Sequence, residues 1–159
     1  MLRRRYYLLA SRGVELFPSA TPARPVRTLS EFLEADPSPE LYVQPEQIRG
    51  FGHSTTVISP AEPNAVATCF TSAYGRSPVR AGAYLKDQRG IRRFSPEEIL
   101  GLLGFPKAWT FPAGLDRARR YELAGNSLSV DVVRAVLSRH LPSLSSGPVT
   151  GRDNGRHPE

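Results

Sequence analysis

The stretch from Arg93 to Ser129 constrains the chain most, because it carries a helix whose start and stop are both signalled locally. Ser95 can accept a bond from the backbone N–H of Glu98 while the Glu98 carboxylate reaches back to the Ser95 N–H. Pro96 suits the first helical position, where no N–H is needed. The spacing therefore predicts a helix from Ser95, with Phe94 and Ile99 placed to staple its entry. Gly104 can take the left-handed conformation that ends a helix, letting Phe105 fold back on Leu100, and Pro106 forbids continuation, so the helix should have roughly two turns. Trp109, Phe111 and Pro112 then form an apolar elbow before the basic run Arg117, Arg119 and Arg120.

A second helix is expected to begin near Ser127 and end before Pro142, with Leu128, Val132, Val133, Val136, Leu137 and Leu141 on one apolar stripe. Such a stripe has to pack on something. Gly125, Asn126 and Ser127 would lead into its N-terminus, where free N–H groups and the positive dipole end favour a polar or anionic ligand group. Asn and Ser are equally ordinary N-caps, so the residues alone leave capping and ligand contact both open.

The succession RRFSPEEILGLLGFP, an aromatic-proline elbow, and RRYELAGNSLSVDVV resembles the last two conserved blocks of the C5-cytosine methyltransferases. The resemblance implies an α/β chain: part of an S-adenosylmethionine-dependent, Rossmann-like methyltransferase fold with a small target-recognition domain. In that family the first block tethers the recognition domain. The second returns beside the cofactor, which implies cofactor contact for Asn126 and Ser127.

At the N-terminus, LRRRYYLLASR reads as a buried strand, since Tyr6 to Ala10 form an apolar run closed by Arg12 and Gly13. The run is too short for a membrane span or a signal-peptide core. It resembles the family's strand with alternating arginines, which implies target-cytosine and phosphate contact for Arg3 and Arg5. The residues alone equally allow a solvated basic strand end. The family's glycine-rich cofactor loop, Pro-Cys nucleophile loop and Glu-Asn-Val segment have no counterpart in this sequence. Cys69, in Ala-Thr-Cys-Phe-Thr, lacks the preceding proline. The resemblance thus implies the C-terminal portion of a methyltransferase, without a catalytic residue of its own and inactive unless the N-terminal catalytic half is supplied.

Length and charge agree with a nucleic-acid-facing unit. The 159 residues, 40% of them hydrophobic, allow one domain with a modest core. The net charge is +6, and all 21 basic residues except Lys86 and Lys107 are arginine, a side chain that can grip phosphate or a base edge through two bonds at once. One cysteine excludes an internal disulfide and fits a reducing compartment, the cytoplasm or nucleus.

After Gly13, Pro18, Pro22 and Pro25 mark a linker. Thr28 and Glu31 can form a capping box for a short helix carrying Leu29, Phe32 and Leu33, stopped by Pro37 and Pro39, and Pro45 to Ile48 form another helical turn. His53 stands alone, so no metal site is expected. Val66, Thr68 and Phe70 alternate with small residues as a strand would. Beyond it, CFTSAYGRSPVRAGAYL places Gly75, Pro78 and Gly82 in an expected exposed loop bearing Tyr74, Arg76, Arg80 and Tyr84, suited to stacking on unpaired bases and holding phosphates. This region resembles the tRNA branch of the family, which implies a tRNA substrate methylated at an anticodon-loop cytosine. A DNA methyltransferase fragment and a non-catalytic nucleic-acid-binding module are the alternatives. The expected organisation is a catalytic-domain strand over 1–13, linker and recognition domain over 14–90, the two C-terminal blocks over 91–141, and a disordered tail over 142–159, rich in Ser, Gly and Pro.

Overall fold

The computed structural model describes residues 7–8, 27–49, 55–62, 65–77 and 81–138. Among them the elements are two 3-10 turns at Leu29–Phe32 and Pro39–Leu41, helix α1 (Pro45–Arg49), strands β1 (Thr56–Ile58), β2 (Ala83–Lys86) and β3 (Ile91–Arg93), and helices α2 (Pro96–Leu102), α3 (Arg117–Asn126) and α4 (Val130–Ser138). The three strands form one mixed sheet in the order β1-β2-β3. In it β1 runs parallel to β2, with Val57 opposite Tyr84, and β3 runs antiparallel, with Leu85 opposite Arg92. The β2–β3 turn closes with the Asp87 N–H donating to Gly90 O at 2.9 Å, and Gly90 takes φ 143°, a value that favours glycine.

Helix α2 follows its local signals. Ser95 Oγ accepts the Glu98 N–H at 3.1 Å, and Glu98 Oε2 accepts the Ser95 N–H at 2.8 Å. Gly104 has φ +86°, and the Phe105 N–H reaches Leu100 O at 3.0 Å. The helix buries Ile99 and Leu100, followed by Leu103, in a core shared with Leu85 of the sheet, Phe94 just after β3, and Phe70, Tyr74 and Tyr121. The Thr28–Glu31 box also forms, on a 3-10 turn that buries Leu29.

Three expectations need correction. Residues 65–70 form no strand: Val66 is 49% exposed while Ala67 and Phe70 are buried, which breaks the alternation, and β1 holds the place beside β2. The second helix starts at Val130 instead of Ser127; Ser129 O accepts the Val133 N–H at 3.0 Å. Ahead of it lies the unanticipated α3, capped by Asp116 Oδ1 on the Arg119 N–H at 2.7 Å. The N-terminal strand and the tail fall outside the described residues, apart from Tyr7 and Leu8. Those two have no regular structure, and Leu8 is exposed, contrary to the expected burial. Among the described residues the sheet offers Leu8 no neighbouring strand to pack with.

Candidate functional site

A buried ion pair ties the sheet to α2. Arg92 on β3 donates from Nη1 to Glu98 Oε2 at 2.9 Å and from Nη2 to Oε1 at 2.8 Å, and both side chains are almost fully buried. Glu98 Oε1 also accepts the Glu34 N–H at 2.9 Å, so one carboxylate joins β3, the α2 cap and the segment after the first 3-10 turn. Burial alone would ease the proton off Arg92, but its bonds to Glu98 hold the guanidinium firmly cationic. Asp87, beside it, would be pushed up by partial burial. The Tyr42 hydroxyl, the Arg89 and Gly90 N–H groups and the Arg92 charge hold it below the usual carboxylate range. Each Glu98 oxygen is occupied by two donors, so the cluster braces β3 against α2.

The expected reader residues separate. Tyr74 is fully buried, where its hydroxyl donates to Ala83 O at 2.6 Å and accepts the Phe94 N–H at 3.0 Å, and burial drives its pKa well up. It cannot stack on RNA; the corresponding expectation is wrong. Tyr84 is also buried, in cross-strand register with Arg93, and its hydroxyl has no hydrogen-bond partner among the described residues. The glycines of this segment serve packing: a Cβ on Gly75 would lie 2.6 Å from the Tyr121 ring, and one on Gly82 would lie 2.5 Å from the Phe70 ring. A sequence rich in Gly and Tyr read as a flexible platform because close packing of glycine on rings has no local signature. Arg76 is exposed, as expected. Arg3, Arg5, Arg80 and His53 lie outside the described residues.

Asn126 ends α3 and Ser127 caps it, and both lie just ahead of the α4 N-terminus at Val130, where Ser129 Oγ accepts the Val132 N–H at 3.4 Å. Ser127 Oγ donates to Leu123 O at 2.8 Å, and Asn126 is exposed. Gly125 has a structural reason: a Cβ there would stand 2.3 Å from the Thr71 carbonyl, so α3 can approach that backbone only through glycine.

The basic run is largely paired. Arg117 meets Glu40, Arg119 meets Glu122 at 2.8 Å, and Arg120 meets Glu97 at 3.2 Å, all at the surface. Sequence reasoning treated the elbow as a connection, yet it forms one wall of a cleft of about 510 Å³, whose other wall includes Phe32 and Arg27. The density of aromatic residues between Phe105 and Phe111 was the available signal.

Comparison with known proteins agrees with these blocks. Residues 22–141 match the family of C-5 cytosine-specific DNA methylases. A tRNA (cytosine(38)-C(5))-methyltransferase of Bos taurus is 28% identical over 139 residues, which cover 70% of this chain and 35% of that protein. A DNA (cytosine-5)-methyltransferase of Dictyostelium discoideum is 31% identical over 86 residues, covering 45% of this chain and 23% of that protein. The crystal structure of the S. pombe Dnmt2 methyltransferase superposes with a TM-score of 0.67 at 24% identity, over 77% of this chain and 44% of that one. The chain spans about a third of the length of the Bos taurus relative, and among the described residues no helix is long and apolar enough to cross a membrane. With the capped α2, the Gly-Phe-Pro stop and the Gly125 contact in the family's order, the chain belongs to the C-5 cytosine-specific methylases.

Proposed function

We propose that this chain is the target-binding, C-terminal part of an S-adenosylmethionine-dependent cytosine-C5 methyltransferase acting on tRNA, at an anticodon-loop cytosine, in the cytoplasm or nucleus. The similarity to a tRNA methyltransferase over 139 residues carries the choice, since the DNA methyltransferase match spans only 86. That second match supports DNA as the alternative substrate.

The division of labour follows from the chemistry. Ring C5 of cytosine is a poor nucleophile until a thiolate has added at C6. Cys69 is half-buried with its Sγ directed to Phe70 O at 3.6 Å, and no proline precedes it. It is not suited to that attack, so the nucleophile comes from a catalytic half that this chain joins. S-adenosylmethionine supplies the methyl group when bound to the complete enzyme. This chain's part is to hold the RNA, with Arg76 and Arg80 on its phosphates and, by resemblance, Arg3 and Arg5 on the target cytosine and its flanking phosphate.

A salt titration of binding tests the reading, using an anticodon stem-loop against duplex DNA of equal length. The stem-loop should bind more tightly, affinity should fall steeply with salt, and Arg76→Ala should lower the salt slope by about one unit. Equal or tighter duplex binding would favour DNA. In a labelled-methyl assay the chain alone should transfer nothing; transfer that Cys69→Ala abolishes would overturn the division of labour.

A further inference from the structure

With Tyr74 and Tyr84 withdrawn into the core, an RNA-binding chain needs stacking surfaces elsewhere. The elbow provides them. Trp109 meets Phe105 and Phe111 edge to face, with ring centroids 5.3 and 4.9 Å apart, and remains 41% exposed. Phe32 lines the same cleft, whose volume of about 510 Å³ is in the range of small-ligand sites. Cations surround these rings: the Arg27 guanidinium stands 4.4 Å over Phe32, Arg120 stands 5.6 Å from the Phe111 centroid, and Lys107 is exposed at the rim. A second cleft, of about 320 Å³, adjoins across the Arg120–Glu97 pair and adds Arg117.

The charges divide the groove into two kinds of surface. Arg27, Arg117 and Arg120 are each held by an exposed carboxylate, from Glu31, Glu40 and Glu97. Surface pairs of this kind contribute little, whereas phosphate meets a guanidinium through two charge-assisted bonds, so exchange of carboxylate for phosphate is open to Arg117 and Arg120. The acidic partners leave the cleft mouth near neutral. A flat uncharged ring suits its aromatic floor better than a phosphate does, while phosphates suit the rim.

We propose that an unpaired base of a single-stranded RNA segment enters this cleft and stacks on Trp109, its flanking phosphates held by Lys107 and by Arg120 and Arg117 as these leave Glu97 and Glu40. The proposal rests on the reading of the chain as an RNA-binding unit.

Trp109 is the sole tryptophan, so it reports directly. The full chain is titrated with an unstructured RNA octamer and with an RNA duplex. Indole fluorescence is followed in parallel with the anisotropy of labelled RNA. Saturable quenching by the single strand, and little by the duplex, is expected. Trp109→Ala should weaken single-strand binding about ten-fold or more, and Lys107→Ala should lower the salt slope by about one unit. Phe111→Leu, which keeps apolar bulk, should fold normally and weaken binding less. RNA binding seen by anisotropy without quenching, and unchanged in Trp109→Ala, would overturn the cleft and leave the RNA reading intact. Absence of RNA binding by anisotropy would overturn both. A saturable indole response to an amphipathic helical peptide but not to RNA would make the cleft a protein-docking groove and overturn the proposal.

Discussion

Helices α2 and α4 touch where the Val130 N–H donates to Leu103 O at 2.8 Å, yet their surroundings differ sharply. Around α2 the chain answers itself. Its cap is closed, Ile99 and Leu100 are buried, its Glu98 is bonded to β3 and to Glu34, and α3 packs along it. Full burial of each such apolar side chain contributes roughly 1.5–3 kcal/mol. Helix α4 is the more amphipathic of the two long helices, but none of its residues is fully buried, and Leu128 just before it is 46% exposed. Among the described residues its apolar stripe is left half covered. The contrast separates a part that is packed on its own residues from a helix that is only half covered among the described residues.

The comparison breaks most severely if the brace is removed. Glu98→Ala leaves the buried Arg92 with only the Asp87 carboxylate, 3.3 Å from its Nε, and should lose about 3–5 kcal/mol, read from the shift of the urea midpoint. If the chain then fails to fold, Glu98→Gln, which keeps part of the hydrogen bonding, should still melt well below wild type. A next, smaller effect comes from Gly125→Ala, whose methyl group would press on the Thr71 carbonyl; about 1–3 kcal/mol should be lost. A null effect there would mean that α3 does not lie against residues 71–72. Tyr84→Phe sharpens the account in the other direction. It removes a buried hydroxyl that has no partner among the described residues and should be neutral or stabilising by up to about 1 kcal/mol, seen as an unchanged or raised melting temperature. A clear loss of stability would reveal a bonded hydroxyl.

The same contrast explains what the sequence made legible. Helix α2 was readable because Ser95, Pro96, Glu98 and Gly104 act within a few residues of one another. The α4 stripe was readable from periodicity, though its start was displaced because Asn126 and Ser127 close α3 as plausibly as they could open α4. Helix α3 was hidden by its arginines, since only Tyr121, Ala124 and Gly125 are buried on it. The burial of Tyr74 depends on contacts with Phe94 and Tyr121, distant in sequence, which leave no local trace. The Trp109 cleft likewise exists only once the 29–32 turn is folded beside the elbow.

Native-state hydrogen exchange of the isolated chain tests the central claim most directly, because it reads both helices in one experiment. The Leu103 N–H, bonded to Ile99 O, and the β2–β3 ladder should exchange only through global unfolding. The amides of α4 beyond Val133 should exchange through a smaller, local opening, with an opening free energy well below the global value. Equal protection of α2 and α4 would contradict the account, because it would mean that the α4 face is already packed within this chain.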